Sequence, residues 1–116
     1  MQNKITYLEP SDNVKYPLIF TLNVMEKIQE EYTTLDNWLS LCQSKEEVNI
    51  KALKFGLKEM INEAIDMENE NKEEKMNFVD SKKVGRIITD IGLKEAAKKL
   101  GESVVEASKT GETKNE

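Results

Sequence analysis

The sequence predicts a mainly α-helical domain of four to five helices, with a short N-terminal β-hairpin or strand and a disordered C-terminal tail. Three observations carry this expectation. Apolar residues recur at intervals of three and four in separate blocks between Leu22 and Val104, the period of a helix buried on one face. Only residues 14–20 alternate with period two, the signature of a strand. From Ser108 onward the chain is Lys, Thr, Gly, Glu and Asn, with nothing to bury. A length of 116 residues suits one core. The reading is therefore a single helical domain over 1–108 with its N-terminal β element, followed by a disordered tail at 109–116.

Each element follows in order. Pro10-Ser11-Asp12-Asn13 has turn chemistry. After it, Val14, Tyr16, Leu18 and Phe20 fall on one side of a strand and Lys15, Pro17 and Ile19 on the other. Pro17 cannot donate to a ladder, so the strand belongs at an edge or is short. Ile5, Tyr7 and Leu8 are the available hairpin partner. Leu22, Met25, Ile28 and Tyr32 form one face of the first helix, which Thr33-Thr34 interrupts. Asp36 is the expected cap of a short helix carrying Trp38, Leu39, Leu41 and Cys42.

The longest helix begins near residues 45–50 and runs to about 69. Ser44 and Asn49 are rival caps for it, Ser44 because Glu47 completes a capping box. Its stripe is Ile50, Leu53, Leu57, Met60, Ile61, Ala64 and Ile65. Phe55 points nearly opposite that stripe. It is either covered by another element or presented to a partner. Residues 66–77 are a helix end followed by a solvated loop rich in Glu and Asn. Asp80 or Ser81 then caps a helix with Val84, Ile87, Ile88 and Ile91 inward, stopped by Gly92 in a left-handed conformation. Leu93, Ala96, Ala97, Leu100 and Val104 form the stripe of the last helix.

Composition narrows the function. The chain has no His, which removes imidazole general bases, Ser-His-Asp triads and His-ligated metals. One Cys allows neither an internal disulfide nor a CxxC site. Cys42 beside Leu41 reads as a small core residue, with no His to activate it. Asp66-x-Glu68-x-Glu70 fails as a calcium loop, because Asn71 and Asn77 stand where Gly and a bidentate Glu are needed. The glycines Gly56, Gly85, Gly92 and Gly101 stand apart and make no phosphate loop. No apolar run is long enough to span a membrane. The reading is a protein with no catalytic residues, cofactor or metal.

Net charge is −5, which disfavours nucleic acid as a partner. A helix-turn-helix over residues 81–108 is the alternative: Leu93 to Gly101 resembles its first helix and turn. The would-be reading helix then carries Glu102 and Glu106 with no Arg, the wrong sign for phosphates.

Several segments carry a family resemblance. Tyr16-Pro17-Leu18-Ile19-Phe20-Thr21-Leu22-Asn23 is followed by Glu30-Glu31-Tyr32 and by Leu35-Asp36-x-Trp38-Leu39. Then come Ile50-Lys51-Ala52-Leu53-Lys54-Phe55-Gly56-Leu57, Met60-Ile61-Asn62-Glu63, and Val84-Gly85-Arg86-Ile87-Ile88-Thr89-Asp90-Ile91-Gly92-Leu93. In order and wording these resemble the small tail assembly chaperones of long-tailed phages and prophages of Gram-positive bacteria, over residues 14–105. The resemblance implies a helical, non-enzymatic protein of the host bacterial cytoplasm. Its implied partners are the tape measure protein, which it would coat, and the tail tube protein. It also implies products of two lengths in many members, for which the polar tail would suit the short form or a linker to an extension. A homo-oligomer is a further expectation. On that basis the long helix and the 82–92 helix are expected to build a client or self-association surface, with Phe55, Met60, Ile87 and Ile91 as its candidate partner-binding residues.

Overall fold

The computed structural model describes residues 5–114, with side chains from 5 to 107. Two strands, β1 (Thr6–Leu8) and β2 (Tyr16–Leu18), precede five helices: α1 (Leu22–Tyr32), α2 (Leu35–Cys42), α3 (Ile50–Asn69), α4 (Ser81–Ile91) and α5 (Leu93–Lys114). The architecture is the expected one, mainly helical with an N-terminal hairpin. The disordered tail expected at 109–116 falls outside the residues whose side chains are described, and the helix assignment of α5 itself continues to Lys114.

The hairpin is antiparallel, with Thr6 opposite Leu18, Tyr7 opposite Pro17 and Leu8 opposite Tyr16. Its turn is fixed by Asn13, which adopts φ 68° and donates its N–H to the Pro10 carbonyl at 3.3 Å. Asp12 accepts the Val14 N–H at 3.0 Å, and Asp90 of α4 accepts both the N–H and the hydroxyl of Ser11. The expected alternation fails: Tyr16 through Phe20 are all buried, while Val14 is exposed. The physical reason is that β2 lies against α3, and on leaving the sheet the chain bonds to that helix, Ile19 N–H donating to the Met60 carbonyl at 3.3 Å. A segment covered on both faces has no polar side to display.

The helix starts follow side-chain caps. Thr21 caps α1, accepting from the Val24 N–H. The buried face of α1 is Val24 and Ile28, and Leu22 points outward at 78% exposure, so the expected stripe was rotated by part of a turn. Thr34 rather than Asp36 caps α2, taking the Asn37 N–H at 3.0 Å. Between these helices Thr33 sits at φ 74°, ψ −53°, and the Thr34 N–H bonds back to the Tyr32 carbonyl at 2.8 Å, a γ-turn. For α3 the cap is Asn49, which accepts from Ala52 N–H at 2.9 Å. Ser44 makes only a local bond with the Glu47 N–H. Asp80 caps α4 through the Lys83 N–H at 2.8 Å.

Helix α3 is the spine of the core. Leu53, Leu57, Met60, Ile61, Ala64 and Ile65 are fully buried along it, as the stripe predicts, joined by Ala52 and Gly56. Ile50 is the exception at 46% exposure. Trp38 of α2 lies on the α3 backbone: its indole N–H donates to the Ala52 carbonyl at 3.0 Å, and Phe20 stacks on its ring at a centroid distance of 6.4 Å. A Cβ on Gly56 would stand 2.8 Å from Trp38 Cε2 and closer still to Cζ2. This glycine therefore marks a close approach of ring to helix.

Gly92 separates α4 from α5 by one residue. It has the expected positive φ of 98°, but ψ is 148°, a glycine-only region rather than the left-handed helical one. Its N–H closes α4 on the Ile88 carbonyl at 2.7 Å, and its carbonyl opens α5 by accepting from Ala96. Ala96, Leu100 and Val104 are buried as expected, while Leu93 is 43% exposed.

Candidate functional site

Two of the four candidate contact residues lie in the core and two are half-buried. Met60 is fully buried and Ile87 is 3% exposed, both within the core. Phe55 is half-buried, with its ring edge-on to Tyr32 of α1 at 5.7 Å, so the end of α1 supplies the cover that the off-stripe position demanded. Ile91 is half-buried and lines a cleft with Tyr7, Ser11, Asp90 and Lys99. The structure does not bring the four together on one open face. Helices pack here through α3, so the residues with the strongest inward stripe are the ones consumed by the core.

A surface between the long helix and α4 does exist, built from other side chains. Ile50 and Lys54 of α3 face Gly85, Ile88 and Thr89 of α4, and Gly92-Leu93 closes the end. Ile50 and Leu93 are each the first residue of their helix and stand partly outside, whereas Ile88 forms the buried floor. Gly85 keeps the groove shallow-walled: a Cβ there would make only ordinary contact with the Lys54 side chain, at 3.4 Å from Nζ. The groove is thus apolar, with one ammonium at its rim.

A second groove runs between α1 and α3, lined by Asn23, Val24, Lys27, Glu59, Asn62, Glu63, Asp66 and Phe78. Glu63 accepts the Thr21 hydroxyl at 2.7 Å and the Asn23 amide at 3.2 Å, which ties the start of α1 to the middle of α3. Phe78 is 60% exposed. The α3–α4 loop that carries it is far from loose. Asn62 donates to the Val79 carbonyl at 2.9 Å and accepts its N–H at 2.8 Å; Asn69 does the same with Met76, at 3.0 and 2.9 Å. Each amide thereby acts as a strand neighbour for one loop residue. In the sequence these two asparagines look like ordinary solvated polar residues; their spacing of seven along one helix face is the signal that links them.

The chemically reactive side chains are quiet. Cys42 is completely buried, and burial pushes its thiol up to about 12, so it is protonated at neutral pH. Burial, then the neighbouring Glu68 carboxylate, also raises the Tyr7 hydroxyl, which donates to Glu68 at 3.4 Å. Among the described residues no group of three or more His, Cys, Asp or Glu side chains is placed to hold a metal ion. No helix among them is long and apolar enough to cross a membrane. Residues 93–108 form part of one continuous helix with no turn at Gly101, so the geometry expected of a helix-turn-helix there is not formed.

No family model, curated protein or solved structure matches this chain.

Proposed function

We propose that this protein acts by protein–protein contact as a tail assembly chaperone, holding a tape measure protein and aiding assembly of the tail tube. The reading comes from the resemblance over residues 14–105. The observation that carries it is the α3–α4 groove, which Ile50 and Leu93 line as partly exposed residues together with the buried Ile88. A helical client lays its apolar face into such a groove. Isolated exposed apolar residues need no explanation, but two facing each other across an apolar floor do. A chain net charge of −5 disfavours unspecific clumping of the loaded complex.

The test is co-expression with a phage tape measure protein, followed by affinity capture on a tag placed on this chain. The expected result is a stable complex with wild type and at least tenfold less client with Leu93→Asp. A folded Leu93→Asp variant that captures as much client refutes the groove, and failure of the wild type to capture any refutes the chaperone reading.

A further inference from the structure

We propose that the second groove, between α1 and α3 and closed by Phe78, docks an amphipathic helix that carries Lys or Arg beside an apolar side chain. This goes beyond the chaperone reading and uses a different face of the molecule. The first argument is the setting of Phe78. Met76 and Val79, on either side of it, are each held by a paired asparagine amide, yet the aromatic ring itself stands 60% exposed. The backbone that carries the ring is thus held on both sides, so a partner loses little backbone freedom in using it.

The second argument is shape. Glu59, Glu63 and Asp66 are spaced four and three apart and so share one face of α3, with Val24 and Lys27 of α1 opposite. A trough between two helices accommodates a third. The third argument is charge. Three carboxylates meet one ammonium across the trough, and although Lys58 approaches Glu59 at 3.8 Å, both of those side chains remain partly exposed. A cationic helix pairs with the walls while its apolar residue meets Phe78. An acidic helix is repelled, and a wholly apolar one strips water from the carboxylates without replacing it.

The probe is a fluorescein-labelled 18-residue peptide of Leu and Lys patterned as an amphipathic helix, with a Leu/Glu peptide of the same pattern as its counterpart. Anisotropy titrations use the full-length protein, Phe78→Ala, Asp66→Asn and Leu93→Asp, each checked for a wild-type urea midpoint. The proposal expects the Leu/Lys peptide to bind wild type more tightly than the Leu/Glu peptide does, and to weaken with salt. It expects binding to fall at least tenfold in Phe78→Ala, to fall two- to fivefold in Asp66→Asn, and to be unchanged in Leu93→Asp. Equal affinity for both peptides, no binding of the Leu/Lys peptide, or undiminished binding by Phe78→Ala overturns it. So does a wild-type dimer in sedimentation that Phe78→Ala dissociates, because the groove then belongs to a second copy. None of these outcomes depends on client capture at the α3–α4 groove, so the two readings fail separately.

Discussion

Replacing Gly56 by Ala isolates the contact on which the α2–α3 packing depends. Taken alone, a Gly to Ala change within a helix is favourable by about 1 kcal/mol. Here the new methyl group would lie 2.8 Å from Trp38 Cε2 and nearer to Cζ2, well inside contact distance. The indole has no room to retreat, since Phe20 stacks on it and its N–H is bound to the Ala52 carbonyl. Overpacking costs about 1–3 kcal/mol. Pulling the ring away would leave a buried N–H unpaired, at about 1–3 kcal/mol more. Set against the gain in propensity, the net effect is a loss on the order of 1–5 kcal/mol. Urea unfolding followed by fluorescence reads this directly, because Trp38 is the only Trp. Gly101→Ala is the internal control: its Cβ would meet the amide end of Gln43, an exposed side chain that is free to swing, so that helix gains about 1 kcal/mol. If Gly56→Ala is as stable as wild type with unchanged Trp emission, the ring does not lie on the helix and this packing argument is wrong.

Four further expectations follow from single side chains. The Ser103 hydroxyl is buried without a hydrogen-bond partner, so Ser103→Ala should raise stability by about 1 kcal/mol in the same urea assay. Thr33, a β-branched residue at φ 74°, should be improved by Gly, with Thr33→Gly gaining about 1 kcal/mol and raising the thermal midpoint. Asn62→Ala removes both bonds to Val79 and should lower stability by about 2 kcal/mol, with faster amide exchange at Val79. Cys42 should resist thiol reagents until the chain unfolds. Its thiol rises from 9.0 to about 12 on folding, so the unfolded chain loses the proton first and stability declines as pH climbs from about 9 toward 12. Cys42→Ala should flatten that decline in pH-dependent urea titrations.

The sequence pattern marks every helix, and its inward face is legible in α3 and α4 but not in α1. Helix α3 spans 20 residues, and its inward stripe was legible because more than five turns constrain one phase. Helix α1 has 11 residues, and two stripes share Ile28; the choice between Leu22 and Val24 was made by Glu63 reaching the Thr21 cap, a contact forty-two residues away. The strand at Tyr16–Leu18 lost its alternation to α3, again a tertiary effect.

The grooves were legible only in outline. Periodicity puts Ile50 and Leu93 on inward stripes, and it gives no sign that the first turn of a helix extends past the element packed against it. Met60 and Ile87 share helices with the off-stripe Phe55 and with Ile91, but their apolar, regularly spaced positions place them in the core. Phe78 falls just past the solvated loop expected at 66–77, where no periodicity marks it, and the anchoring of its neighbours Met76 and Val79 by Asn69 and Asn62 depends on side-chain geometry that composition does not encode.

The proposed function has the α3–α4 groove receive a helical client. Amide chemical-shift mapping on the labelled protein, with and without a tape measure fragment, tests it most directly. Perturbations are expected to concentrate at Ile50, Lys54, Ile88, Thr89 and Leu93, with the hairpin turn at residues 10–13 unchanged. A spectrum that does not respond to the fragment, or one that changes only away from α3, α4 and the Gly92 corner, would contradict it.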